Sequence, residues 1–304
     1  MIVIREEEKL IKVDSWEAIT QRDNFKPDHN PANANLKEII GYYDIKDMIC
    51  CSLSNCHTEH MRGYLVALSD GSEINIGNQC GKKAFDIEFD TLTKDFQQFR
   101  QTEECKTAIY EAKRKLEQWE HSLTEMLNAK RGARWANTKL KSLMNRGNVT
   151  QRIVGHLNYM VKQRSGKIEV DHELTDKWEI EQIMLANPKL RYDEAKWVKK
   201  TVGHLESLEA LYPENDLQEL FIKQAQMSLK SIEDCDPSKC SLSQLQVLKK
   251  SANGMPDLVD KCESALNNAK NFLTRSNLDK LLPIFEGRED DEKAFLRYLD
   301  NLYR

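Results

Sequence analysis

The chain contains 304 residues, of which 40% are hydrophobic and 31% are charged, so it is polar overall and long enough for two or three domains. Its apolar runs are all shorter than the ~20 residues that cross a bilayer, and the acidic start Met1–Glu8 is unlike a secretory signal. Composition therefore excludes a membrane span and predicts a cytoplasmic protein, in which eight cysteines favour metal binding over disulfides.

The first 35 residues are predicted to form an N-terminal extended segment. They lack a regular apolar period and contain asparagines and prolines that favour turns, so we expect a short strand followed by a loop. Residues 36–90 contain the clearest strand pattern. Gly63–Leu68 and Glu73–Ile76 flank Ser69–Ser72, where an Asp-Gly pair suits the tight turn of a β-hairpin.

Metal ligands with the spacing of a zinc site lie on both sides of this hairpin. Cys51, Cys56 and His60 precede it, and Cys80 follows it at the start of a predicted helix. The hairpin would return Cys80 to the other three, and structural Zn²⁺ takes four such ligands in a tetrahedron. This is the layout of treble-clef and related small zinc folds. We therefore predict a zinc-binding module over residues 36–90, with a structural ion.

Two choices within this ligand set stay open from the sequence. His57 competes with His60, and Cys50 competes with Cys51, although adjacent cysteines do not easily bind the same tetrahedral ion. A catalytic zinc ion would need an open coordination position and a nearby general base, and Glu59 is the only acid close in sequence. A structural ion is the better interpretation.

A helix of unusual length is predicted after Leu92, within a long helical arm that spans residues 91–147. Its apolar residues alternate steps of four and three, which is the seam of a coiled coil or helical hairpin and predicts a homo-oligomer. A helix from Leu92 to Arg131 would be about 60 Å long, with Gly132 as a candidate kink and Gly147 as a candidate end. The seam consists of Cys105, Ile109, Ala112, Leu116, Trp119, Leu123 and Met126.

Residues 148–304 are predicted to form an all-helical C-terminal domain. Amphipathic helical patterns follow one another and are separated by prolines such as Pro188 and Pro213. The predicted fold is therefore mainly α: a small N-terminal zinc-bound β-hairpin module, a long coiled-coil-like helical arm and a helical C-terminal domain.

The middle of the chain is basic although the net charge is −4. Ten basic residues and no acid lie between Met126 and Ile168, which predicts contact with a nucleic acid or with an acidic protein surface. Trp135, His156 and Tyr159 are interleaved and could stack on unpaired bases. A merely solvated helix is the remaining alternative. The basic residues are Lys130, Arg131, Arg134, Lys139, Lys141, Arg146, Arg152, Lys162, Arg164 and Lys167.

Two further groups of reactive side chains are weaker candidates. Cys235 and Cys240, with Cys262 further on, have no histidine nearby and are interpreted as buried or free thiols, with a second metal site or a disulfide as alternatives. The segment Glu169–Glu173 gathers ionisable groups but is typical of a polar loop.

Short patterns around the zinc candidate resemble an uncharacterised group of phage and prophage proteins. They are Ile39–Tyr42, Gly63–Val66, Asp70-Gly71 and Ile76–Phe85, which carries the string Cys-Gly-Lys-Lys. The resemblance is confined to residues 35–89. It implies zinc binding and a mobile-element setting, and it implies no reaction.

No phosphate-binding glycine loop, nucleophile elbow or dinucleotide fingerprint is visible in the sequence. We therefore expect a non-enzymatic, zinc-stabilised interaction protein that binds nucleic acid through its basic middle. The first alternative is a phage-encoded inhibitor that wraps or blocks a host defence complex acting on nucleic acid. The second is an unrecognised metal-dependent nuclease.

Overall fold

The computed structural model describes residues 1–33 and 35–303, which form two compact units. The first unit contains residues 1–113 and 235–252, and the second contains residues 114–234 and the chain from residue 253 onward. Helices make up 58% of the structure and strands 19%. The four-segment division predicted from the sequence stays a prediction.

The first unit is built on a five-stranded antiparallel sheet with the strand order β2-β1-β3-β4-β5. A short helix, α1 (Trp16–Thr20), follows the second strand. The strands are β1 (Ile2–Glu6), β2 (Lys9–Val13), β3 (Leu36–Cys50), β4 (Glu59–Leu68) and β5 (Glu73–Gly77).

Both faces of this sheet are covered, because side chains alternate from one face to the other along each strand. Tyr64 and Val66 of β4 point into one cluster, which also contains Phe89 from the following helix. Leu65 points into the other cluster with Ile19 of α1. Residues that alternate in this way are buried on either side, so β4 is a central strand.

The prediction of a small hairpin module in a mainly α protein was wrong. The hairpin of β4 and β5 is present, but it is two strands of a five-stranded sheet. The sequence concealed β2 because this edge strand is exposed or half-buried throughout and has no apolar alternation. β1 was missed as part of a sheet because its partner β3 lies more than thirty residues away, and periodicity is a local property.

A long helix, α2 (Asn78–Asn128), follows directly on β5. Its helical geometry is interrupted at Asp86, where φ is 47° and ψ is −127°. It starts well before the predicted Leu92 and ends just before Gly132, which caps the next helix. A side chain at Gly132 would lie 2.5 Å from the carbonyl oxygen of Met126, so the tight link requires glycine.

Several residues of the predicted seam are buried within the single chain. Cys105 and Ile109 pack with Leu245 in the first unit, and Trp119 and Leu123 are buried in the second. These side chains therefore have apolar partners without a second copy. Oligomerisation through the helix stays a prediction.

The second unit contains most of the remaining helices and one small sheet. Its helices include α3 (Ala133–Leu143), α4 (Gln151–Gln163), α5 (Lys177–Ala186), α6 (Tyr192–Ala195) and α7 (Met227–Asp234), which follows a π-helix at Glu219–Gln226. α8 (Leu242–Phe272) starts in the first unit, and α9 (Arg275–Leu278) and α10 (Glu289–Asp300) follow in the second. No helix in the described residues is long and apolar enough to cross a membrane.

The prediction that the C-terminal domain is purely helical was also wrong. β6 (Lys167–Glu173) and β7 (Trp197–His204) pair as an antiparallel two-stranded sheet. Ile168 is the one fully buried residue of the two strands, so the strand alternation that would have revealed them is absent. More than twenty residues separate the two strands, so a local sequence pattern does not show that they pair.

Asn277 of α9 connects the loop at Glu206 to the C-terminal end of α8 from a buried position. Its Oδ1 accepts a hydrogen bond from Glu206 N at 2.9 Å, and its Nδ2 donates to Glu206 O at 2.9 Å and to Phe272 O at 3.1 Å. Only 3% of Asn277 is exposed. The side chain therefore satisfies backbone groups that water does not reach.

Replacing Asn277 with alanine should lower the free energy of unfolding by about 2–4 kcal/mol, because it leaves buried backbone groups without partners. Urea denaturation followed by circular dichroism measures this change. The exposed Asn267 of α8 provides the control, and its replacement by alanine should change stability by less than about 0.5 kcal/mol. Equal effects from the two substitutions would contradict the role given to Asn277.

Candidate metal centre

Three cysteines meet at one end of the five-stranded sheet. The Sγ atoms of Cys51, Cys56 and Cys80 all lie within 4.8 Å of one another, and those of Cys56 and Cys80 are 3.3 Å apart. Among the residues that the structure describes, this is the single group of three or more cysteine, histidine or acidic side chains that could hold a metal ion.

The first two cysteines lie on a short loop between β3 and β4. Cys51 N donates to Thr58 O at 3.0 Å, which closes the loop, and Cys56 N donates to Leu53 O at 2.9 Å. Leu53 is 2% exposed and anchors the loop in the apolar core of the sheet. The loop therefore turns both thiols to the same side.

The third cysteine reaches the group through the hairpin. β5 runs antiparallel to β4 and ends at Gly77, which pairs with Gly63, and α2 starts at the next residue. Cys80 therefore lies in the first turn of a helix, where the free backbone N–H groups favour a negatively charged thiolate. This is the return path that the sequence predicted.

The environments of the three thiols differ. Burial raises the pKa of Cys51 to about 12, although the amides of Leu53 and Gly77 hydrogen-bond to its sulfur. The hydroxyl of Thr58 lowers the pKa of Cys56 to about 7, and burial raises the pKa of Cys80. A bound cation would favour the thiolate form of all three, because a metal ligand must be deprotonated.

His60 lies beside this group but outside it. Its Nε2 is buried and has no hydrogen-bond partner, whereas its Nδ1 lies 3.1 Å from the hydroxyl of Tyr43. A side chain at Gly77 would lie 2.5 Å from Cδ2 and 3.0 Å from Nε2 of His60, so glycine leaves room for the imidazole. The amide of that same Gly77 contacts the sulfur of Cys51.

A buried polar network supports this end of the site. Asn75 Nδ2 donates to Cys50 O at 2.9 Å and lies 3.4 Å from the Tyr43 hydroxyl, and the Ser52 hydroxyl donates to Asn75 Oδ1. These contacts tie β5 to β3 and to the ligand loop. Sequence reasoning missed Tyr43 and Asn75, because nothing local marks them as neighbours of the cysteines.

The competing ligands lie away from the three thiols. His57 is exposed, has a positive φ of 48°, and its Nε2 is 3.7 Å from the carboxylate of Asp28. Cys50 is exposed and is not a member of the group. Three of the four predicted ligands are thus together, and of the two histidines His60 is the one with an unpaired buried nitrogen.

The remaining cysteines form no comparable group in the described part of the chain. The sulfurs of Cys235 and Cys240 are 3.6 Å apart. Cys262 is fully buried, which raises its pKa to about 11.

The ten predicted basic residues all lie in the second unit, and few are neutralised by the protein itself. Within the described residues, Arg164 is the one member that forms an ion pair, and its guanidinium lies 2.7 Å from the carboxylate of Glu214. Lys139 and Arg152 donate to backbone carbonyl groups, Lys141 donates to Gln218, and Arg131 lies over the Tyr303 ring. The other five are exposed and form no ion pair with a described acid: Lys130, Arg134, Arg146, Lys162 and Lys167.

Of the three interleaved aromatic residues, one is free to contact a ligand. Trp135 stacks on Tyr303 with ring centroids 6.3 Å apart, and His156 Nε2 lies 3.0 Å from Glu169 O. Tyr159 on α4 is 55% exposed. The stacking surface suggested by the sequence is therefore reduced to one ring.

The acidic string at residues 169–173 forms most of β6. Two of its carboxylates form ion pairs with lysines in or next to β7, the paired strand. Asp171 lies 2.8 Å from Lys199 Nζ, and Glu173 lies 2.9 Å from Lys196 Nζ. The contact with Lys199 holds the pKa of Asp171 below its usual value. These carboxylates join no metal-binding group in the described residues.

No family model, curated protein or solved structure matches the chain. The resemblance to phage and prophage proteins therefore stays a prediction.

Proposed function

We propose that the chain is a non-catalytic binding protein with a structural zinc ion in its first unit and a nucleic-acid-binding surface on its second. The observation that carries the binding role is the set of five exposed basic side chains without acidic partners. We call them the free basic set: Lys130, Arg134, Arg146, Lys162 and Lys167.

Zinc suits the donor atoms of the first unit better than other common metals. Thiolates with one imidazole form typical structural zinc sites, whereas calcium and magnesium require oxygen ligands. His60 is the best fourth ligand, because its Nδ1 can donate a proton to Tyr43 and so leave the Nε2 lone pair for the ion.

We favour nucleic acid as the partner of the second unit, because no acidic side chain in the described residues forms an ion pair with the free basic set to neutralise its charge. A basic side chain that lacks an acidic neighbour keeps its full attraction for phosphate, and each phosphate contact releases condensed counterions. The free basic set is distributed over α3, α4 and their flanking segments. No base-reading motif accompanies it, and we propose binding with little sequence preference.

A protein partner is the second candidate, and a different observation favours it. Large apolar side chains are exposed near α5 and β7 in the second unit: Trp178 (65%), Leu185 (72%), Tyr192 (45%) and Trp197 (48%). Exposed apolar groups of this size are typical of protein interfaces. An acidic host complex would then contact the basic residues, as expected of a phage-encoded inhibitor.

Binding of single- and double-stranded DNA over a salt series tests the proposal. For a phosphate-binding surface we expect the logarithm of affinity to fall linearly with the logarithm of salt concentration. Absence of binding at low salt would exclude the nucleic-acid role and leave the protein partner.

A further inference from the structure

The thiol pair Cys235 and Cys240 lies in the first unit and is not part of the metal centre. The two sulfurs are 3.6 Å apart, and both side chains are half-buried above the apolar cluster of Cys105, Ile109 and Leu245. Zinc would need further ligands here, and no third cysteine, histidine or acid joins the pair within the described residues. A metal site therefore does not explain why the two sulfurs lie so close together.

The loop between the two cysteines has a defined shape that holds them together. Asp236 accepts hydrogen bonds from Ser238 N at 3.1 Å and Ser238 Oγ at 2.6 Å, and it pairs with Lys239 Nζ at 3.1 Å. Lys239 N also donates to Asp236 O at 3.0 Å. These contacts fold the four intervening residues into a turn, and so the two thiols face each other before any reaction.

We propose that Cys235 and Cys240 form a reversible disulfide when the protein meets hydrogen peroxide. A disulfide has an S–S bond of about 2.05 Å, so the two sulfurs, which are 3.6 Å apart, need to approach by only a further ~1.5 Å. The pair is therefore a redox-sensitive modification site in a loop that joins α7 to α8.

The reaction uses one peroxide and the two thiols. The sulfur of Cys240 attacks one peroxide oxygen, the O–O bond breaks, and Cys240 becomes a sulfenic acid as water leaves. The sulfur of Cys235 then attacks Cys240 Sγ, the S–O bond breaks, and the proton of Cys235 leaves with the oxygen as a second water. Two thiols and one hydrogen peroxide thus give one disulfide and two waters.

The order of the two steps follows from the surroundings of the sulfurs. Cys240 lines an open groove with Ser243, Gln244 and Val247, where peroxide can reach it. Burial and the neighbouring Cys240 raise the pKa of Cys235 to about 11, so Cys235 is almost entirely protonated at neutral pH. Cys240, which peroxide can reach, is therefore oxidised first, and Cys235 then resolves the sulfenic acid.

Peptide mapping tests the bond directly. The full chain, loaded with zinc and reduced, is treated with hydrogen peroxide, its remaining thiols are alkylated, and it is digested with trypsin. Lys239 lies between the two cysteines, so cleavage there separates residues 231–239 from residues 240–249 unless a disulfide joins them. We expect the joined peptide, and its separation on reduction.

The controls use serine variants. Cys50→Ser removes an exposed thiol elsewhere and should leave the joined peptide unchanged, whereas Cys235→Ser and Cys240→Ser should abolish it. Oxidation should raise the melting temperature of the unmodified chain by a few degrees. It should not raise the melting temperature of Cys235→Ser or Cys240→Ser. Separate alkylated peptides after peroxide, a sulfinic acid at Cys240, or a bond from Cys240 to Cys105 would each overturn the proposal.

Discussion

Replacement of Cys80 by serine should release the zinc ion and destabilise the first unit. Removing one of three clustered thiolates leaves too few ligands for a structural ion. Such an ion contributes on the order of 10 kcal/mol to the folding free energy of small zinc folds. This unit also has an apolar core on both faces of its sheet, so it should keep part of its stability. We expect loss of about one equivalent of zinc and a melting temperature lower by about 10 °C or more.

Metal analysis of the purified protein and thermal unfolding measure the two effects. Cys50→Ser is the matched control, because Cys50 is adjacent to Cys51 in sequence but is exposed and outside the thiol group. It should retain zinc and melt normally. Unchanged zinc content in Cys80→Ser, or equal loss in the Cys50 variant, would show that the ligand set is wrong.

The rate at which a chelator removes zinc can identify the fourth ligand. If Nε2 of His60 binds the ion, His60→Ala should lose zinc to a chelator faster than the unmodified chain, whereas His57→Ala should not, because His57 faces Asp28. Equal rates for all three proteins would assign the fourth position to water or to another group.

Removal of the free basic set should have the largest effect on binding. With Lys130, Arg134, Arg146, Lys162 and Lys167 all changed to alanine, we expect the affinity for DNA to fall about 100-fold at 0.1 M salt. The slope of log affinity against log salt should decrease by about 0.9 for each phosphate contact that is lost from duplex DNA. Fluorescence anisotropy over a salt series measures both quantities.

A control variant with the same change in charge tests whether DNA binds at the free basic set or responds only to the total charge of the protein. Lys189, Lys200, Lys261, Arg288 and Arg297 are exposed in the same unit but lie outside residues 126–168, and their replacement by alanine should alter affinity little. Equal losses in the two variants would refute a localised surface. If neither variant nor the unmodified chain binds DNA, the acidic protein partner becomes the better proposal.

Local sequence patterns were sufficient for the elements nearest the metal centre. The Asp-Gly pair at Asp70 and Gly71 predicted the turn of the hairpin, which the structure confirms between β4 and β5. The cysteines at 51, 56 and 80 predicted a group of ligands because a tight loop and a hairpin bring them together over fewer than thirty residues. Short connections leave little freedom for any other arrangement.

Other parts of the site required the tertiary structure. The choice between His57 and His60 depends on which imidazole packs against Gly77, and the support from Tyr43 comes from the middle of β3. Likewise, only the folded chain distinguishes Lys162, which has no acidic partner, from Arg164, which pairs with Glu214 fifty residues away. Charge patterns in a sequence do not reveal such pairing.

The sequence by itself determined the hairpin, the existence of a very long helix, the proximity of three cysteines and the zoning of charge. These features depend on neighbouring residues and on the 2- and 3.6-residue periods of strands and helices. Only the tertiary structure revealed the five-stranded sheet and the β6–β7 pair. It also revealed the unpaired Nε2 of His60 and the facing thiols of Cys235 and Cys240. Each of these depends on burial or on contacts, and contacts between distant segments are set by packing of the whole chain rather than by local preference.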